Sequence, residues 1–428
     1  MDNTQVWILT SNHWHDQADR HVSFLSTKPS LSVQLHELAP SGSCGGQPVV
    51  SPDEPIEMVE QWSKLLNEAN LVTRYNDPVR TVRRIHEFDP VNDDACPYIV
   101  YGRSGGATAL LAGEIRRVDS AAPLGPLARF GPSLVGFEVF ETATVVEPGP
   151  EPSDLDILLE YLVGSLLDSG AVDSVRLHNI ESTSPAANIL SQPSRFNARG
   201  FSEERVRWWA QLNDPETGTR ILKPSKNARR HFNKLIRAFD GDAKFEIITD
   251  LGQVEQFATA AASIVKQTYQ AAIGVGAQDT PAYRALLAEM AEAGSLRGYL
   301  ITGNDEPIAY VIGDRWGHTF SLWALSFLPQ YSHLSPGTVA VRKAMESLAD
   351  EGVVDFDFGW GDAEYKKRYG DRLVDELDFV YYSRRIAPSL EFGTNRVLGT
   401  AKAAANEALS RLGARDKVRK MLRDRQSG

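Results

Sequence analysis

Val353-Val354-Asp355-Phe356-Asp357-Phe358-Gly359-Trp360-Gly361-Asp362, continuing as Ala363-Glu364-Tyr365-Lys366-Lys367-Arg368-Tyr369-Gly370, decides how the rest of the chain is read. Its first half alternates apolar and acidic residues, the pattern of a strand. A Gly-Trp-Gly corner ends it, and a short basic, aromatic segment follows, closed by a glycine. Residues two apart on a strand share a face, so Asp355 and Asp357 project together, opposite Val354, Phe356 and Phe358. From the residues alone the carboxylate pair reads either as a chemical site or as the wet face of an ordinary sheet.

Outward from this stretch the chain becomes an orderly series. Ahead of it the patterning predicts a strand over 244–249, helices over 253–271 and 280–293, strands over 296–302, 307–316 and 319–327, and a helix over 336–351. The strand 353–359 comes next, then the Tyr-Lys-Lys segment and a strand over 376–384. A helix between the fourth and fifth strands makes those two parallel neighbours in a mostly antiparallel sheet. The first half gives a weaker version of the same tally. Short strands are expected at 6–9 and 33–36, a Gly/Pro/Ser loop over 41–55 and a helix over 56–70. Strands at 98–103, 108–118 and 137–146, a helix at 154–168 and a strand at 174–180 complete it. Residues 394–425 read as an alanine-rich helix broken at Gly413.

At 428 residues two domains are the default, and 42% hydrophobic with 24% charged residues is ordinary for a globular protein. A net charge of −11 argues against a general binder of nucleic acid or anionic membranes. The charge is uneven, however. Residues 384–428 carry eleven Lys/Arg against four Asp/Glu, and residues 220–237 carry seven Lys/Arg and no acid. In the latter block Lys226, Arg230, Lys234 and Arg237 recur at helical spacing, a stripe suited either to an anionic ligand or to plain solvation. Cys44 and Cys96 form no disulfide framework or metal-ligand spacing. The start lacks a signal peptide, and no apolar run reaches the ~18 residues of a membrane helix, so a cytoplasmic chain is expected.

The run Asp357-Phe358-Gly359-x-Gly361-Asp362-x2-Tyr365-Lys366-x2-Tyr369-Gly370 resembles the signature of GNAT-type acetyltransferases associated with bacterial cellulose and exopolysaccharide synthesis (CelD-type). It is also similar to the Phe-Lys-x-x-Phe-Gly segment of the Fem aminoacyltransferases, with tyrosine at both aromatic positions. Pro224-Ser225-Lys226-x2-Arg229-Arg230, Ser335-Pro336-Gly337 and Ser184-Pro185 support the likeness. The resemblance implies an α+β (α/β) chain of the GNAT acyl-CoA N-acyltransferase fold, with two such domains in tandem. They are a degenerate acceptor-side domain over 1–215 and the acyltransferase domain over 216–390, followed by a basic helical tail over 391–428.

It also implies roles. Acetyl-CoA or another acyl-CoA is the co-substrate, and no metal is involved. Leu325, Ser326 and Phe327 would pair with the pantetheine amides. Ser335, Gly337 and Thr338, at a helix N-terminus, would hold the pyrophosphate, although the usual Gln/Arg-x-x-Gly-x-Gly/Ala loop is altered to serines. The same Ser-Pro-Gly also reads as a plain helix cap. Asp357 and Asp355 are the candidate bases, Lys366 the oxyanion or phosphate ligand, and Tyr365 the donor to the leaving thiolate. Lys366 and Lys367 serve equally as a solvated helix face, and Tyr365 as packing. The expected reaction moves an acyl group to an amine or hydroxyl of a small molecule or a glycan or envelope precursor. Alternatives are an aminoacyl-tRNA donor, with tRNA as partner, and a non-catalytic scaffold. DNA is not expected as a partner. The basic tail would dock weakly on a membrane or a protein.

Overall fold

The computed structural model describes residues 5–11, 31–37, 62–66, 76–77, 80–81, 84, 95–104, 106–119, 133–139, 144–147, 149, 151–168, 172–268, 270 and 276–411. The expected loop 41–55 with Cys44, most of the expected helix 56–70, and residues 412–428 lie outside them. The strands are β1 Gln5–Ser11, β2 Leu31–Glu37, β3 Ala95–Ser104, β4 Ala107–Asp119, β5 Ser133–Val139, β6 Thr144–Glu147, β7 Ser174–Glu181, β8 Arg199–Gln211, β9 Ala243–Ile248, β10 Leu296–Gly303, β11 Glu306–Trp316, β12 Thr319–Phe327, β13 Asp355–Trp360 and β14 Arg372–Tyr382. The helices used below are α1 Pro152–Asp168, α2 Pro185–Leu190, α3 Lys226–Ala238, α4 Leu251–Val265, α5 Pro281–Glu292, α6 Pro336–Asp350, α7 Glu364–Tyr369 and α8 Ile386–Arg411.

The chain forms two compact units, Met1–Arg205 with Asp375–Ala405, and Val206–Val374 with Asn406–Gly428. In unit 1 the strand order is β2-β1-β3-β4-β5-β7-β14, with β6 also on β4. All these pairs are antiparallel except β5 with β7. α1 makes the crossover that a parallel pair requires. Its Leu155, Leu158, Leu159, Leu162, Val163 and Leu166 follow helical spacing and pack into one core with Ile99, Leu110 and Phe137.

In unit 2 the order is β8-β13-β12-β11-β10-β9. β12 and β13 are the parallel pair, joined through α6, as the helix between the fourth and fifth strands of the series requires. Alternation along β10 and β11 supplies two cores. Tyr299, Ile301 and Val311 face one core with α6 and Leu235 of α3. Leu300, Tyr310 and Ile312 face the other, with α4 and α5. That two-sided burial explains why both strands read as nearly continuous apolar runs.

The sequence series names no partner for its last strand, and the structure supplies one: β14 pairs with β7 of unit 1 (Glu376 opposite Glu181, Tyr382 opposite Ser174). The place beside β13 is taken by β8, which enters from the first half of the chain (Asp357 opposite Trp209, Asp355 opposite Gln211). Each half of the sequence therefore lends the strand that closes the other's sheet. The compact units accordingly differ from the ranges 1–215 and 216–390. Pattern reading marks a strand's presence but not its partner, because partner choice depends on contacts far apart in sequence.

Unit 1 also holds a buried charge network that the sequence did not single out. His178 Nδ1 lies 2.9 Å from Asp378 and its Nε2 lies 3.0 Å from Glu138. Arg205 Nε pairs with Asp378 at 2.6 Å, and Arg116 pairs with Glu138. Burial opposes charge on the imidazole, but the bonds to Asp378 and Glu138 outweigh it and raise the His178 pKa. Burial likewise opposes charge on Glu138 and Asp378. Their His178 hydrogen bonds and neighbouring arginines prevail, so both are held below the ordinary carboxylate value. The His178 contribution to stability is then complete below its unfolded pKa of about 6.5 and lost as pH rises through the higher folded value. The carboxylate contributions run the opposite way, and disappear as pH falls through their lowered values. Urea unfolding of His178→Gln should show a less stable protein that lacks the wild-type decline above neutrality. Retention of that decline would assign it to another group.

Candidate active site

The parallel pairing of β12 and β13 is short. Thr319, Phe320 and Ser321 oppose Asp355, Phe356 and Asp357, and the recorded register stops there. Beyond it β12 continues to Phe327, paired on its other side with β11 apart from a bulge at Trp323, where the register shifts between Ile312 and Gly313. Among the described residues, the edge of β12 from Leu322 to Phe327 has no ladder partner on the β13 side. Leu325, Ser326 and Phe327 lie on this stretch. Ser326 is buried, and the Leu325 carbonyl accepts from Gln270 Nε2 at 3.1 Å.

The chain then passes through a 3-10 turn, Pro329–Leu334, into α6. Ser335 stands at the N-cap position with φ 56° and ψ 47°, without a side-chain cap bond. The expected plain serine cap is therefore not what forms. Pro336 occupies the first turn and lacks an N–H in any case, so among the described residues the Gly337 and Thr338 amides are the first-turn donors of the helix without a backbone acceptor. A Cβ at Gly337 would sit 2.8 Å from the Phe327 ring, so only glycine lets α6 start this close to β12. The sequence-predicted residues Leu325, Ser326, Phe327, Ser335, Gly337 and Thr338 are thus brought to one strand end and the helix that follows it.

Of the two readings of β13, the wet face of an ordinary sheet is not the one that forms at Asp357. Asp355 and Asp357 do share a face, and one aromatic and cationic layer covers both. The Arg207 guanidinium lies 5.8 Å and that of Arg372 lies 5.4 Å from the Trp209 ring centre, with Arg207 also 5.9 Å from Trp360. But Asp357 is only 2% exposed. Its Oδ2 accepts from Arg207 at 3.0 Å, and its Oδ1 accepts the Gly359 N–H at 2.7 Å. Arg207 is equally buried, so this is a closed ion pair. Asp355 keeps partial exposure and lies 3.2 Å from Arg372. Burial raises its pKa, against the pull of Arg372.

The Gly-Trp-Gly corner has a definite task. Gly359 (φ 69°) and Gly361 (φ 93°) adopt backbone that side chains disfavour. In this shape the carbonyls of Gly359 and Trp360 accept from Lys366 Nζ, the former at 3.0 Å. Lys366 is buried, not solvated; its neighbour Lys367 is the exposed one, paired with Asp362 at 2.8 Å. Burial pushes the Lys366 pKa down to about 8, with Asp357 opposing and Arg207 adding to the shift. An ammonium has three donors. Two are spent on the corner, leaving one for another acceptor. Tyr365 is half-buried, its ring edge-on to Phe358 at 6.2 Å.

Sequence reasoning missed Arg207, which lies between the strand expected at 174–180 and the basic block 220–237. The signal was the alternation Arg205-Val206-Arg207-Trp208-Trp209, which puts both arginines and Trp209 on one face of β8. The basic stripe of α3 lies near the start of α6. Lys234 Nζ donates to the His333 carbonyl at 3.0 Å, and Phe239 meets Tyr331 edge-on at 5.2 Å. Lys226, Arg230, Lys234 and Arg237 are all exposed. Among the described residues, no cluster of His, Cys, Asp and Glu is placed to hold a metal ion.

Residues 223–367, which contain most of these groups, match the family model "Acetyltransferase (GNAT) domain". The match is to a transferase domain, and the sheet of unit 2, with its parallel pair and intervening helix, is a GNAT fold. No curated protein matches the chain. Among solved structures, FemX is similar at 11% identity over 67% of this chain and 88% of that chain, with a TM-score of 0.45. L-PGS from Bacillus licheniformis is similar at 12% identity over 80% of this chain and 96% of that chain, with a TM-score of 0.40. A GCN5-related glucosamine N-acetyltransferase region of a fungal multi-domain GH3 beta-N-acetylglucosaminidase is similar at 11% identity, covering 77% of this chain and 37% of that chain, with a TM-score of 0.41.

Proposed function

We propose that this chain is an acyltransferase that moves an acyl group from acyl-CoA, acetyl-CoA first among donors, to an amine or hydroxyl. The observation that supports this most is the unpaired edge of β12 running into the N-terminus of α6, within the segment matching an acetyltransferase domain. The residues present fit such a donor. The β12 edge offers main-chain groups to an extended amide arm, and the Gly337 and Thr338 amides offer donors to a phosphate.

In the proposed reaction the acceptor amine forms a C–N bond at the thioester carbonyl and the C–S bond breaks. The remaining Lys366 N–H stabilises the oxygen that becomes negative. Asp357, with both oxygens engaged, is assigned a positioning part: it ties Arg207 to the Gly359 corner on which Lys366 rests. Asp355, made more basic by burial, is left as the acceptor of the amine proton, through water. Tyr365 is assigned delivery of a proton to the leaving thiolate. Because Lys366 must be charged, the rate is expected to fall as pH rises through about 8. A pH–rate profile flat from 7 to 10 would remove Lys366 from this part.

The finer likeness to CelD-type enzymes supports a glycan or envelope precursor as acceptor in a cytoplasmic setting. Calorimetric titration with acetyl-CoA tests the donor: heat with saturation in the micromolar to millimolar range is expected, and none at millimolar ligand would sink the proposal. A second reading, an aminoacyl-tRNA donor, is favoured by the exposed stripe of α3 beside the start of α6 and by the serine-altered loop. A tRNA gel shift at physiological salt decides it, since phosphate contacts made only at low salt would be unspecific.

A further inference from the structure

α8 carries an uncovered apolar face of a kind that a water-soluble surface rarely keeps. Ile386 is 82% exposed, Leu390 63% and Val397 66%. At 100° per residue, Leu390 and Val397 fall within 40° of Ile386, and the exposed Gly393 lies on the same row. The opposite side is anchored: Glu391 is buried, Phe392 packs against Phe201 and Tyr382, and Asn395 donates to the Tyr382 hydroxyl at 3.0 Å. The three large side chains are therefore presented by a helix fixed on its other face.

The charge around this row has one sign. Arg384 and Arg396 are exposed beside it, the latter held 6.0 Å over the Phe392 ring, while Glu391, the one acid in residues 384–400, is turned into unit 1. In sequence the excess continues. Residues 384–428 carry +7 against −11 for the whole chain, which leaves −18 elsewhere. Such a distribution orients the basic end towards a negative surface and the acidic body away from it. A row of large aliphatic side chains bordered by arginine, on a helix parallel to a surface, is the arrangement by which amphipathic helices lie in the lipid headgroup region.

We propose that the exposed row Ile386–Leu390–Val397 of α8 inserts into the headgroup–acyl boundary of an anionic bilayer, with Arg384 and Arg396 meeting lipid phosphates. No helix among the described residues is long and apolar enough to cross a membrane, so the attachment is peripheral and reversible. The inference is independent of the reaction proposed for unit 2.

The test is co-sedimentation of the full chain with extruded vesicles of phosphatidylcholine alone or with phosphatidylglycerol added. Binding is expected only with phosphatidylglycerol, weakened by 0.5 M salt as surface charge is screened. Ile386→Glu/Leu390→Glu should lower the partition coefficient by about tenfold or more, since each side chain loses much of its apolar transfer. Both positions are exposed, so circular dichroism and thermal melting should match wild type. Arg396→Glu is the second variant and should weaken binding without touching the apolar row. Three outcomes would overturn the proposal. The first is no binding to phosphatidylglycerol vesicles. The second is binding that the Ile386/Leu390 variant leaves intact, which would mean charge alone. The third is a wild-type dimer, by light scattering, that the same variant dissociates, which would make a second copy the occupant of this face.

Discussion

Lys366→Ala is expected to lower kcat for acyl transfer by about 10²–10³-fold, the usual loss when one prearranged oxyanion donor is removed. KM for the acyl donor should change little, because the groups proposed to hold it lie on β12 and α6. Stability should also change modestly. The carbonyls that lose Lys366 belong to Gly359 and Trp360, at an only half-buried corner where water can replace it. Lys366→Arg separates charge from titration: any activity it retains should lack the decline above about pH 8, because a guanidinium stays charged there. Steady-state kinetics on the alanine variant would refute the role if kcat stayed within about threefold of wild type, a change far smaller than one such donor is worth.

Arg207→Met carries the largest expected effect on stability, a loss of about 3–5 kcal/mol. It removes the salt-bridge partner of a carboxylate that is 2% exposed, leaving the charge to the Gly359 N–H and to Lys366, whose own charge burial disfavours. Arg207→Met with Asp357→Leu should recover most of the loss, since two apolar groups replace the pair instead of leaving a charged half of it buried. The cation–π contacts to Trp209 and Trp360 are lost in both variants, so the comparison isolates the charge. Urea unfolding monitored by tryptophan fluorescence reads this directly. A single-variant loss below about 1 kcal/mol would mean that Asp357 takes up a proton or rearranges at little cost.

Much of unit 2 is legible in the sequence because its elements announce themselves locally. Thr280 caps α5 and accepts from the Tyr283 N–H as its spacing implies, and β12 spans the expected Thr319–Phe327. The short parallel pair follows from the single helix between β12 and β13. The site was only partly legible. The Gly-Trp-Gly corner and Lys366 were visible as a motif, yet Lys366 reads as solvated until the corner's carbonyls are known to surround it. Asp357 and Asp355 are two residues apart and look equivalent. Their difference comes from Arg207, 150 positions earlier, and no periodicity transmits a pairing over that separation. Ser335 misled in a smaller way: a serine before proline at a helix start reads as a cap, whereas its left-handed backbone makes no side-chain cap bond.

The exchange of β8 and β14 between the two halves has a consequence for how this gene can be cut. A break at the sequence midpoint, near residue 215, would leave the second fragment without the strand that lies beside Asp357, and the first without the strand that lies beside His178. Each fragment would expose a raw sheet edge; the second would also hold Asp357 and Asp378 stripped of Arg207, His178 and Arg205, and the first His178 stripped of Asp378, a combination that favours edge-to-edge aggregation over folding. Neither half can be transplanted, shortened or recombined as a cassette. The chain must therefore vary as one inseparable piece, and fragments made separately should become soluble only when produced together.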